Sequence, residues 1–92
     1  MTAALALPNR LDLPAARPLA DALRANSGED MQVDASTVAH IGGLCLQLLL
    51  SAAASARAAG HQFIIAPRSK AFDDAVALFG VSAETFESEG NP

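Results

Sequence analysis

The 92-residue sequence has no tryptophan, no tyrosine and a single cysteine, and its only aromatic side chains are four phenylalanines. One thiol cannot form an internal disulfide, so no covalent framework holds the fold. A lone cysteine in an apolar stretch suits a reducing compartment, and the expected location is the cytoplasm. Basic residues are sparse as well: six Lys plus Arg, scattered singly, stand against ten Asp plus Glu, for a net charge of -4. With no basic stripe to neutralise phosphates, nucleic acid is excluded as an expected partner. Two histidines and one thiol fall short of the four ligands of a structural zinc site, and no cofactor is expected. The longest apolar run, Ile41 to Ala56, is interrupted by Gln47, Ser51 and Ser55. It is shorter than the roughly 20 residues that span a bilayer, so no direct membrane insertion is expected. The opening "MTAALALPNR" places its Arg after the apolar residues, the reverse of an export signal.

What is present is apolar: 51% of the residues, enough for one small domain with one core. That domain is expected to span 1–92, with a core over about 4–86 and loose ends at Met1–Ala3 and in the acidic tail 87–92. Two short strands, Ala4–Leu7 and Arg10–Leu11, are expected on either side of a Pro8-Asn9 turn. Asp12 as cap and Pro14 in the first turn open a helix over Leu13–Ala25 with Leu19 and Leu23 at helical spacing. Pro18 removes one backbone bond, so its first turn is irregular or the regular helix begins near Arg17. After the break "NSGED", Met31–Asp34 reads as a strand. Gly43–Ala59 is the strongest helical segment, with Leu44, Leu48 and Ala52 along one side, and Gly60 stops it. "QFIIAP" from Gln62 is a continuous apolar strand of the doubly buried kind, ended by Pro67. Ser69 caps a last helix, Lys70–Phe79, with Phe72, Val76 and Phe79 inward and Gly80 as its stop. Strands alternating with helices imply an α/β fold, a small and largely parallel sheet with helices packed on it.

The junction "VDASTVAHIGGL" holds the candidate chemistry. Asp34, Ser36 and Thr37 are an acid and two hydroxyls at a strand end, where Asx and Ser turns use the same residues, and the structural role is favoured for Asp34 and Ser36. Gly42-Gly43 before a helix could cradle an anion, but lacks the longer spacing and the Lys of a P-loop. A tight turn needing positive φ is the favoured reading. Cys45 near a helix start invites a nucleophile, yet His40 is five residues away across two glycines, so a buried apolar cysteine is favoured over a catalytic one. His40 and His61 are expected at the surface, at helix ends. Leu44 and Gln47, near the exposed end of an otherwise apolar helix, are candidates for a docking surface.

These residues resemble the STAS domain family, found in sulfate transporters and in bacterial anti-sigma-factor antagonists. The likeness covers "LALPNRLDLPAARPLADAL", "VDASTVAHIGGLCLQLLL" and "FIIAPRSKAFDDAVALFGV", nearly the whole chain. The family's strand ending in Asp-x-Ser is matched by Asp34 and Ser36, its apolar position by Val38, and the hydrophobic residue of its hydrophobic-Asp-Ser-Ser-Gly-Leu element by Ile41. Without a gap, Gly42 and Gly43 fall on the Asp and first Ser, Leu44 on the second Ser, Cys45 on the Gly and Leu46 on the Leu. That register also places Gly60 on the family's helix-ending glycine, and for that reason it is preferred to a two-residue deletion that pairs Gly43-Leu44 with the family's Gly-Leu.

The resemblance implies a non-enzymatic regulatory or adaptor domain in bacterial signalling. In the antagonist branch the second Ser is the phosphorylated hydroxyl, and Leu44 cannot accept phosphate. The family implies three classes of partner: an anti-sigma serine kinase, a chemotaxis or phosphorelay component, or an ABC transporter ATPase such as the one served by the small STAS subunit of the phospholipid-trafficking system. Partner-binding residues implied by the loop and the resemblance are Asp34, Ser36, Thr37, His40, Gly42, Gly43 and Leu44. An enzyme using Cys45 or the Asp34/Ser36 pair is the reading of another class.

Overall fold

Apolar and polar residues alternate where the chain is extended and recur at helical spacing elsewhere, and the computed structural model follows that pattern over residues 2–81 and Phe86, the residues it describes. The tail 87–92, expected to be loose, lies outside them. In chain order the elements are β1 (Thr2–Ala6), β2 (Arg10–Leu11), α1 (Leu13–Ala25), β3 (Asp30–Ala35), β4 (His40–Ile41), α2 (Gly43–Ala58), β5 (Phe63–Arg68) and α3 (Lys70–Leu78). Three strands form one sheet in the order β1-β3-β5, and β2 pairs with β4 in a second, two-stranded sheet. Every one of these pairs is parallel, so the sheet expected to be largely parallel is wholly parallel among the described residues.

The register Ala3↔Met31↔Phe63 and Leu5↔Val33↔Ile65 puts these side chains on one face of the main sheet, since residues level across neighbouring strands point the same way. Met31, Val33, Phe63 and Ile65 are buried there against Leu19 and Leu23 of α1 and Cys45, Leu46, Leu49 and Ala53 of α2. Fully burying an aliphatic or phenyl side chain contributes roughly 1.5–3 kcal/mol, so this layer is the main source of stability. On the opposite face Thr2, Ala4, Ala6, Gln32 and Asp34 are exposed. A parallel sheet is usually covered on both faces, and this one is not. Phe72 and Val76 of α3 are buried as expected, with the Phe72 ring 6.0 Å from that of Phe86.

Several local expectations are corrected. The strand before the Pro8-Asn9 turn, expected at Ala4–Leu7, spans Thr2–Ala6 and joins β3, while the one after it joins the unforeseen β4, because the chain crosses between the two sheets at that turn. Strand pairing with β3 orders the N-terminus from Thr2, where looseness was expected. Asp12 makes no side-chain cap to α1, its carboxylate being held 3.2 Å from Arg10 Nε. Pro18 lies within a regular helix that begins at Leu13, and it is exposed on the outer surface, where its missing N–H disturbs no buried contact. Pro67 continues β5 rather than ending it, through a cis Ala66–Pro67 bond at a register shift against β3. One side of β5 is buried and the other only half-covered, so it is not a doubly buried strand. The inward stripe of α2 is Cys45, Leu46, Leu49 and Ala53; Leu48 and Ala52 flank it and Leu44 faces out. Phe79, expected inward, is 49% exposed because α3 ends at Leu78 and the residue that follows leaves the helical stripe.

Candidate functional site

Between β3 and α2 the chain "STVAHIGG" is bound to its surroundings almost residue by residue. Asp34 Oδ1 accepts the Ser36 N–H at 2.8 Å, an Asx turn that closes the strand. Hydrogen bonds from Ser36, through its side chain and then its backbone, hold the Asp34 carboxyl below the ordinary carboxylate range, against a smaller opposing effect of burial. Thr37 Oγ1 donates to the Leu7 carbonyl at 3.3 Å, and Val38 buries its side chain while its carbonyl accepts from Ser69 Oγ. The Asn9 carbonyl takes both the Ala39 and His40 N–H groups, at 2.7 and 3.1 Å, and the Gly42 N–H donates to Leu11 O at 2.9 Å. A loop whose backbone groups are satisfied in this way is a scaffold rather than a flexible connection.

From that scaffold Ser36, Thr37, His40, Gly43 and Leu44 emerge exposed, whereas Gly42 is half-buried. His40 belongs to β4 rather than to a helix end, and His61 is half-buried, its Nδ1 3.5 Å from Asp30 Oδ1. Gly42 and Gly43 do not sit at positive φ; Gly42 is extended at -90° and Gly43 is the first residue of α2, which corrects the tight-turn reading. A Cβ on Gly42 would stand 3.7 Å from Leu11 O, and one on Gly43 3.6 Å from the Phe79 ring, both ordinary contacts. Neither position requires glycine on these grounds. The second contact shows that the Phe79 ring lies against Gly43 in the first turn of α2, the residue before half-exposed Leu44. Leu44 and Phe79 both expose apolar surface near this helix start.

Cys45 faces the opposite way. It is buried, its Sγ lies 3.5 Å from the Asp12 carbonyl, and desolvation, with the Asp12 charge second, pushes its thiol pKa up. A thiol engaged with a carbonyl and raised in pKa is a poor nucleophile at neutral pH. Asp34, for its part, is engaged by the Ser36 N–H of the turn.

A loop after a parallel strand, a helix that starts at Gly43 and a glycine stop at Gly60 now stand together. A family model described as "Mlab, STAS domain" matches residues 1–85. The chain belongs to the STAS domain family. Its architecture, three helices and parallel strands among the described residues, is that expected of a STAS domain. No curated protein and no solved structure matches it. No described helix of this STAS domain is long and apolar enough to cross a membrane.

Of the residues that sequence reasoning selected, the fold brings Ser36, Thr37, His40, Gly42, Gly43 and Leu44 onto one loop and helix start. It assigns Asp34 to positioning that loop. Two contributors were missed. Phe79 had a signal, in that a Phe-Gly pair at a helix end puts the ring on the capping residue. The Asn9 carbonyl had none, because a backbone acceptor leaves no mark on side-chain pattern.

Proposed function

We propose that this STAS domain is a non-enzymatic adaptor that grips a protein partner at the start of α2, independently of phosphorylation at position 44. The observation that carries the proposal is that Leu44 and Phe79 are both half-exposed at the start of α2, where the loop's backbone is tied to Leu11 of β2, to Asn9 and to Ser69 at the cap of α3. Exposed apolar side chains on a rigid element suit a desolvated contact, and Ser36, Thr37 and His40 supply a polar rim. Asp34 and Gly42 contribute by holding the loop. Ligands of open α/β sheets favour loops beyond the carboxyl ends of strands, and this loop follows β3. The partner classes are those of bacterial signalling, an anti-sigma serine kinase or a chemotaxis or phosphorelay component, in a cytoplasmic setting that suits a free thiol.

A second reading has the same surface seated on an ABC transporter ATPase. The Mlab description of the matching family model favours it, because the resemblance extends to the small STAS subunit of phospholipid-trafficking transporters.

Leu44→Asp tests both readings. Leu44 is 51% exposed and an acid suits a helix N-terminus, so the fold tolerates the change. A buried unpaired carboxylate at the contact should weaken binding by about tenfold or more, roughly 1.4 kcal/mol. The partner is captured from the source cell on the immobilised protein, identified by mass spectrometry, and titrated against both forms. Unchanged affinity of a folded Leu44→Asp protein would move the interface elsewhere.

A further inference from the structure

The outer edge of β1 is unpaired among the described residues, and β1 is the strand with least protection against another chain. Alternate amides of a parallel strand point to opposite sides, and Leu7 donates to Asp34 O of β3. Leu5 and Ala3 therefore face β3, and the N–H and C=O groups of Thr2, Ala4 and Ala6 face outward. Native edges are blunted by charge, proline or a bulge. The far edge, β5, carries Pro67 at a register shift and the Arg68–Asp73 ion pair of 2.9 Å. β1 has none of these, and the first charged side chain of the sequence is Arg10.

We propose that β1 is a self-association edge, joining β1 of a second copy of this chain in an antiparallel pair centred on Ala4. In that register Ala4 exchanges both backbone bonds with its counterpart, Thr2 does so with Ala6, and Ala3 stands opposite Leu5. Each outward amide then meets an outward carbonyl, and the closed two-fold leaves no new edge. Charge argues for a copy as the occupant. The chain carries net -4, and the stretch 2–9, with no charged side chain, is where two copies approach with least repulsion. Packing agrees. Ala3 and Leu5 are only half-buried, and a groove of about 470 Å³ lined by Leu5, Leu7, Leu11, Ala15, Pro18 and Leu19 runs beside β1 under α1. The copy's Leu5, on the same face as Ala3, would extend that apolar floor. The contact lies on the sheet edge, apart from the Leu44 surface.

Sedimentation of the full chain from micromolar to millimolar concentration tests this. The mass should rise from one chain to two and stop there. Amide exchange at Ala4 and Ala6 should slow with concentration while Ala3 and Leu5 do not change. Ala4→Pro removes an N–H that faces away from β3 and is unpaired among the described residues, and Ala4→Lys places two like-charged side chains on the exposed face from Cα positions about 5.5 Å apart across the two-fold. Both should keep the wild-type circular dichroism spectrum and the mass of one chain; if the proline variant does not fold, the lysine variant decides. A wild-type mass of one chain at millimolar concentration, growth beyond two chains, or wild-type association by either folded variant would overturn the proposal.

Discussion

At Cys45 and Asp34, two titratable groups close together in the sequence have opposite fates. Cys45 is buried against the Asp12 carbonyl with its pKa raised, so alkylation near neutral pH should be slow in the folded protein and fast in denaturant. Rapid labelling of the native state, followed by its reagent rate against pH, would restore the case for an active thiol. Asp34 has the reverse sign. Its folded pKa is depressed by the Ser36 hydrogen bonds, so what the Asx turn contributes is present above the unfolded carboxylate value, about 3.9, and is lost as pH falls through the lower folded value. The Ser36 amide proton should shift in NMR with a midpoint below that of an unstructured Asp peptide. Both behaviours depend on neighbours distant in the chain or on a turn geometry, and residue type alone predicts neither. What residue type did show was that position 44 has no hydroxyl.

Among the elements, α3 has its start and stop most plainly written in the sequence. Ser69 Oγ accepts the Phe72 N–H at 3.0 Å, satisfying one of the orphan donors of the first turn. At the other end Gly80, at φ +78°, donates to Ala77 O while Val81 donates to Val76 O, which closes the helix in a Schellman motif. Gly60 ends α2 in the same manner, its N–H on Arg57 O and that of His61 on Ala56 O. Only the structure reveals that Ser69 has a second task, donating to Val38 O and so tying α3 to the loop that carries Leu44. Ser69→Ala should therefore cost more than the ~1 kcal/mol of a lost cap, since the Val38 carbonyl also loses its side-chain donor. Urea unfolding should show a lowered midpoint with an unchanged slope. A loss no greater than that of an isolated cap would mean that the Val38 bond contributes nothing net.

For the molecule as a whole, period and punctuation determined a great deal. Apolar spacing in Leu19 and Leu23, the alternation of Met31 and Val33, and the glycine stops located every helix and the three strands of the main sheet, because those signals are local and set by backbone geometry. Alternating strands and helices then implied the parallel sheet, and the residues from Asp34 to Gly60 resemble those of the STAS family. The tertiary structure alone decided which strands pair. It split β1 and β2 between two sheets and made His40 and Ile41 a strand, since a two-residue ladder is stabilised by its partner rather than by propensity. It likewise turned Phe79 outward over Gly43 and, among the described residues, left one face and one edge of the sheet open. Exposure is a property of what lies alongside a residue, and distant segments settle that only when they meet.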